Sequence, residues 1–267
     1  VDRSQLQRVT LTTGITVPFL EQGDPAGRHL VLLHAWVESL GCFDRLLPRL
    51  PAPLHVLAMD QRGHGGASKP AGGYSLASLA ADTIGFLDAL HIRSAVLVGS
   101  SSGGYLAQQV ALAAPDRVSA LVLVGAPRSL QGRPPFAEDV EQLTDPLDPD
   151  WVRESITWFP RFHEVPRHYL ADRVHDGLAA PAHVWRQGLA GLMDAVPPTT
   201  VGTIGTPTLV IHGGRDDLLG PEAGAELAAA IPGAALVVYP DTGHLVLWEQ
   251  PERLAADITA FATGMSD

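Results

Sequence analysis

Val96-Leu97-Val98-Gly99-Ser100-Ser101-Ser102-Gly103-Gly104 is the stretch from which the rest of the chain can be read. An apolar run of strand character enters Gly-x-Ser-x-Gly, and Leu106, Val110 and Ala113 continue at helical spacing. A strand, a tight turn and a helix in that order make a nucleophile elbow. The central serine sits on a strained turn, so its hydroxyl projects from the sheet edge. The flanking glycines let neighbouring backbone pass close by. The new helix aims unpaired N–H groups at the same place. Of the three serines only Ser101 has glycine at both −2 and +2. A plain Ser/Gly-rich turn, or a phosphate cradle at a helix N-terminus, would use similar residues. The strand before and the helix after favour the elbow.

Working outward, the strand candidates are Arg8–Thr12, Ile15–Glu21, Leu30–His34, His55–Asp60, Ala95–Gly99, Val118–Gly125, Thr208–His212 and Leu236–Pro240. The last five are nearly continuous apolar runs, the pattern of strands covered on both faces of a parallel sheet. Helical patterns separate them. Ser75–Leu90 lines up Leu76, Leu79, Thr83, Leu87 and Leu90 behind a Ser75 N-cap. Pro221–Ala230 and Pro251–Thr263 each open with proline, which suits a first helical turn. The expected fold class is α/β, with eight strands in a mostly parallel sheet and helices on both faces.

The alternation breaks between about Pro127 and Thr206. This stretch is rich in proline and aromatic residues and too long for a bare loop. Helical periodicity near Arg167–His175 and His183–Met193 marks it as an inserted helical lid. The expected division is a core of residues 1–126 and 207–267 with a lid of residues 127–206.

Composition narrows the function classes. Among 267 residues, 18 Lys+Arg against 29 Asp+Glu give a net charge of −11. That balance argues against nucleic acid or an anionic membrane as partner, since both call for a basic face. Arginine outnumbers lysine 17 to 1, and the single lysine, Lys69, precedes proline, so a Gly-Lys-Ser/Thr phosphate loop is absent. One cysteine, Cys42, leaves no internal disulfide and no cysteine-based zinc site. Residues 94–115 are uncharged and long enough to span a membrane, but Ser100–Gly104 interrupt them. Val1-Asp2-Arg3-Ser4-Gln5 shows no apolar leader core, so the expected location is cytoplasmic. No metal is expected. His163-Glu164-Val165-Pro166-Arg167-His168 misses the zincin spacing by one residue, and Pro166 would break the helix it needs.

Two more strand ends carry chemistry. Leu209-Val210-Ile211-His212-Gly213-Gly214-Arg215-Asp216-Asp217 ends in adjacent carboxylates, and Asp241-Thr242-Gly243-His244 follows the last strand. An acidic turn or a lone histidine is ordinarily solvated or structural. Here Ser, Asp and His occur in the order of a hydrolase triad, each after a strand. Counting back from Pro221 favours Asp217 as the acid.

With these segments in place, the chain resembles the α/β-hydrolase superfamily along essentially its whole length. Leu32-Leu33-His34-Ala35-Trp36 is similar to the family's His-Gly oxyanion turn, and Asp60-Gln61-Arg62-Gly63-His64-Gly65-Gly66-Ala67-Ser68 to its Asp-x-Arg-Gly-x-Gly-x-Ser segment. Gly243-His244 with Glu249 and Pro251 resembles its histidine loop. The resemblance implies Ser101 as nucleophile, His244 as base and then acid, and Asp216, which aligns without a gap, as the orienting carboxylate. It also implies an oxyanion hole from the Trp36 and Ser102 backbone N–H groups. His34, His64 and Arg62 are expected to fix loops. Trp36, Trp151, Trp158 and Trp185 are the expected substrate contacts, the other lid aromatics forming the lid's own core. The implied activity needs no cofactor: hydrolysis of a small-molecule ester or lactone through an acyl-enzyme. Cofactor-free perhydrolase or haloperoxidase chemistry and C–C bond hydrolysis use the same residues, and some similar proteins are sensors with slow hydrolysis. A homo-oligomer is compatible with all of these. Some departures stand out. Ala35 replaces the usual glycine, at a cost of about 1–2 kcal/mol if its φ is positive. Ser100 stands where a larger polar residue is common and Ser102 where methionine or leucine is, which either widens the pocket floor or tolerates a smaller side chain. Val37 stands where many perhydrolases have proline, which ranks that chemistry lower.

Overall fold

The computed structural model describes residues 5–264, so the opening residues 1–4 read above for a leader lie outside the described residues. Eight strands form one sheet: β1 (Gln7–Thr10), β2 (Thr16–Gln22), β3 (His29–Leu33), β4 (His55–Met59), β5 (Ala95–Ser100), β6 (Val118–Val124), β7 (Thr208–Gly213) and β8 (Ala235–Tyr239). Their order across the sheet is β1-β2-β4-β3-β5-β6-β7-β8. β1 pairs antiparallel with β2, and β2 with β4; the other pairings are parallel. All eight expected strands are present, with ends shifted by a residue or two. Such boundaries move because fraying strand ends carry little hydrophobic pattern.

The central strands alternate their side chains between two apolar layers. Val31, Leu33, Leu97, Leu121 and Leu123 enter one core, while Leu30, Leu32, Val96, Val98 and Val122 enter the other. Burial on both faces explains their unbroken apolar sequence. β8 departs from that expectation. It is an edge strand, and Leu236 (37%) and Val238 (42%) remain exposed. Its apolar residues reflect β-propensity rather than two-sided burial.

Helix α1 (Leu76–Ala89) begins behind Ser75, whose side chain accepts the Ser78 N–H as expected of the N-cap. Helix α2 (Ser102–Ala113) follows β5 directly, so residues 94–115 are strand, turn and helix. Among the described residues no helix is long and apolar enough to cross a membrane. Between β6 and β7 lie α3 (Ala137–Glu141), α4 (Pro149–Ser155), α5 (Arg167–Ala179), α6 (Ala182–Met193) and α7 (Pro198–Val201). Helices α3 to α6 share an apolar cluster of their own around Val152, Val184, Trp185 and Leu189, while α7 packs against α2. His163 precedes α5 and His168 lies on it, so no single helix presents both. After β7 come α8 (Ala223–Ala230), α9 (Val246–Glu249) and α10 (Pro251–Gly264). Pro251 does open its helix. Pro221 does not: α8 starts two residues later, with Glu222 at the cap. Cys42 is buried, and burial pushes its thiol well above the usual range.

Candidate active site

Four strand ends on one edge of the sheet supply the site. β5 ends at the elbow, where Ser101 has φ +49° and ψ −119°, a conformation an L-residue holds only under surrounding constraint. The Ser101 N–H donates to the Val124 carbonyl at 2.8 Å, which ties the turn to the end of β6. A Cβ on Gly103 would run into the Leu33 carbonyl oxygen, and one on Gly99 into the Gly103 carbonyl. Both glycines are therefore required by close backbone approach.

The loop after β8 brings His244 over the elbow. Its Nε2 lies 3.0 Å from Ser101 Oγ, and its Nδ1 lies 2.8 Å from Asp216 Oδ2. The other Asp216 oxygen, Oδ1, accepts the Leu218 and Leu219 N–H groups, each at 3.0 Å. Burial alone would raise the Asp216 carboxyl. The hydrogen bond and charge of His244, with help from the Leu219 N–H and His212, outweigh it and hold the group below its ordinary value. Asp216 is thus an anion with every oxygen engaged. Asp217 is exposed and has no such contact, so of the two adjacent carboxylates only Asp216 meets His244.

The turn after β3 faces the elbow from the other side. The Trp36 N–H donates to Ser102 Oγ at 2.7 Å. The positive φ of this turn falls at Val37, at +59°, and not at Ala35, so the alanine carries no such strain. Glu38 holds this turn. Its Oε2 accepts the Ala35 N–H at 3.1 Å, its Oε1 accepts the Trp248 indole N–H at 2.8 Å, and its own N–H donates to the Ala35 carbonyl at 3.2 Å. Burial pushes the Glu38 carboxyl up, opposed chiefly by the charge of buried Arg173. Arg173 pairs with Asp176 at 2.8 Å and covers the Tyr169 ring. Its guanidinium nitrogens are buried from solvent, and the residue is among those that line the cavity above Ser101. His34 receives the Gln61 N–H at 2.9 Å, and Arg62 makes a two-pronged bond to Asp82 at 2.7 and 2.8 Å. These residues fix loops, as expected.

A cavity of about 420 Å³ opens above Ser101, a size that suits a small molecule. Trp36, Trp158 and Trp185, read from the sequence as substrate contacts, line it. Trp151 is not among its lining residues. It packs edge-on against Trp158 (5.5 Å) and Trp185 (5.2 Å) from behind, because α4 turns it toward the helical cluster. Phe136, Phe159 and Met193 also line the cavity and were not singled out from the sequence. Phe136 stacks on Trp158 at 4.7 Å and on Trp36 at 6.2 Å, joining the two sides. Glu38 also escaped notice, since a lone acid on a loop carries no pattern.

A strand-end serine, an imidazole and a carboxylate thus meet beneath an aromatic cavity on a doubly covered α/β sheet. Residues 30–257 match the model of the alpha/beta hydrolase family, and the chain belongs to that family. It is 29% identical to a non-heme chloroperoxidase of Streptomyces lividans, covering 95% of this chain and 98% of that one. It is 28% identical to 2-hydroxymuconate semialdehyde hydrolase of Pseudomonas sp. (strain CF600), with 96% and 94% covered. The solved structure of a hydrolase from Pseudomonas aeruginosa PA01 superimposes with a TM-score of 0.84 at 28% identity, covering 97% of this chain and 99% of that one.

Proposed function

We propose that this protein is a serine hydrolase that cleaves a small-molecule carboxylic ester or lactone through an acyl-enzyme. The observation that carries the reading is the unbroken hydrogen-bonded line Ser101 Oγ–His244 Nε2, His244 Nδ1–Asp216 Oδ2, at 3.0 and 2.8 Å. A neutral serine is a poor nucleophile until a base takes its proton. His244 receives that proton as Oγ attacks the carbonyl carbon. Asp216 fixes the ring with Nδ1–H facing it and stabilises the imidazolium that forms. The carbonyl oxygen becomes an oxyanion at the head of α2, where the backbone N–H groups of Ser102 and Trp36 lie. His244 then returns the proton to the leaving alcohol. Water, deprotonated by the same imidazole, releases the acid. No step calls for a cofactor or a metal.

Residues 127–206 act as a lid that supplies most of the aromatic wall. The partner is a small apolar ester or lactone. Ser101→Ala should lower turnover of a p-nitrophenyl ester by several orders of magnitude with the fold retained; undiminished turnover would overturn the assignment.

Cofactor-free perhydrolysis is the second reading, favoured by the likeness to the Streptomyces chloroperoxidase. In it hydrogen peroxide takes the place of water in breaking the acyl-enzyme. It ranks second because Val37 has φ +59°, whereas proline holds φ near −65°. The turn therefore cannot take the shape a proline there would impose.

A further inference from the structure

The Trp36 N–H, one of the two oxyanion donors in the reading above, already has an acceptor. Its hydrogen points at Ser102 Oγ, 2.7 Å away, across 66 residues of sequence. An N–H committed to one acceptor at that distance has little left for a second. Meanwhile the hydroxyl proton of Ser102 has no acceptor among the described residues, and Ser102 lines the cavity beside Ser101 and His244. Ser102 is also the first residue of α2, so its backbone N–H is one that no helical carbonyl can reach.

We infer that the Ser102 hydroxyl is itself an oxyanion donor. This rests on the serine-hydrolase reading and adds a catalytic group to it. The oxyanion is held by two donors of one residue, Ser102 N–H and Ser102 Oγ–H, about 3 Å apart in a staggered rotamer. The Trp36 N–H stands behind the hydroxyl and acts through it. By donating to Oγ it orients the lone pairs away from the cavity and makes the O–H more acidic, the cooperative strengthening of a hydrogen-bond chain. Elbows with a leucine or methionine after the nucleophile have only the backbone donor at this position. Because a hydroxyl rotates about its Cβ–Oγ bond, the hole can follow an oxyanion whose position shifts with the acyl group.

The alternative for the same geometry is that Ser102 Oγ only occupies the Trp36 N–H in the resting protein and yields it to substrate. Steady-state kinetics on p-nitrophenyl butyrate separate the two. Ser102→Ala should lower kcat on the order of 10–10²-fold, below the loss seen when an oxyanion donor goes unreplaced because Trp36 N–H is freed to compensate in part. KM should hold within about 3-fold, since the donor acts on the transition state rather than on the bound ester. Inhibition by an alkyl trifluoromethyl ketone, whose serine adduct carries the oxyanion, should weaken by the same factor as kcat/KM. The isosteric pair Ser102→Thr and Ser102→Val guards against a packing effect: the threonine variant should be at least about 10-fold faster than the valine variant. Equal rates for that pair, or a Ser102→Ala kcat at or above wild type, would overturn the inference. Fluorophosphonate labelling keeps the two levels apart. If Ser101 is labelled and the Ser102 hydroxyl proves dispensable, only this inference fails. If Ser101 is not labelled in the wild type, the hydrolase reading fails and takes it along.

Discussion

Glu249 Oε2 accepts the Phe162 backbone N–H at 2.6 Å. The same oxygen takes the His163 N–H at 2.8 Å, and Oε1 takes the Gly243 N–H at 3.3 Å. One buried carboxylate thus fastens the helical segment between β6 and β7 to the residue preceding His244. In the reading proposed here, it keeps the imidazole over Ser101 and the lid in register with it.

Glu249→Gln turns one acceptor oxygen into an amide donor facing N–H groups. It should cost about 2–3 kcal/mol of stability, the range for an unsatisfied buried polar group bonded to a charge. The expected kinetic signature is a lower kcat with the Ser101 labelling rate reduced in step, measured by urea unfolding and fluorophosphonate kinetics. A variant that loses stability but labels at the wild-type rate would show that Glu249 holds the lid and not His244.

Glu38 plays the matching part on the opposite side. It clasps the Ala35 N–H and the Trp248 indole, and it lies in the field of Arg173, which also balances Asp176. Ser39 Oγ closes the cluster by donating to Asp176 at 2.7 Å. Removing Glu38 leaves the Ala35 N–H and the Trp248 indole N–H without their acceptor, while Arg173 and Asp176 keep their pair. Glu38→Ala should destabilise the protein by about 1–3 kcal/mol. Glu38→Gln keeps the Trp248 or the Ala35 contact but not the charge and should fall between the alanine variant and wild type. Thermal denaturation of the three proteins gives the order directly.

Acid should destabilise the protein before its carboxylates titrate. Burial is the largest cause lowering His34, to about 4, and His64, to about 3, from an ordinary 6.5. In the unfolded chain both imidazoles take up protons as pH drops through about 6.5, while in the folded chain they stay neutral. The unfolded state therefore binds more protons in that window, so stability rises with pH there. Between pH 6.5 and about 4 unfolding free energy should fall by on the order of a few kcal/mol. His64→Gln should flatten that slope over this range when urea midpoints are compared at pH 7, 6 and 5. An unchanged slope would mean that His64 is not carried neutral in the folded protein.

The sequence made the sheet legible because its central strands are buried on both faces and so are written as unbroken apolar runs. The same signal misled at β8, where Leu236 and Val238 are apolar yet exposed. Ser101, Asp216 and His244 stood out because each follows closely on a strand, and strand ends are easy to place. The resemblance points to Asp216 and the Pro221 spacing to Asp217, and of the two only Asp216 is buried and in contact with His244. The cavity wall was the least legible part. Trp151 and Trp158 are equally aromatic and seven residues apart, yet Trp151 lies on α4 and packs behind the wall while Trp158, in the turn after α4, lines the cavity. Glu38 and Glu249 bond to backbone N–H groups far away in the chain, and long-range capping of that kind leaves no local pattern.

The central claim is a covalent one: acyl transfer onto a single hydroxyl. Rapid-quench mass spectrometry of the whole protein mixed with p-nitrophenyl butyrate tests it most directly. The account predicts a transient butyryl adduct that maps to Ser101, appears with the burst of nitrophenolate, and is absent from Ser101→Ala. An ester hydrolysed at full rate with no adduct, or with the adduct on Ser100 or Ser102, would contradict it.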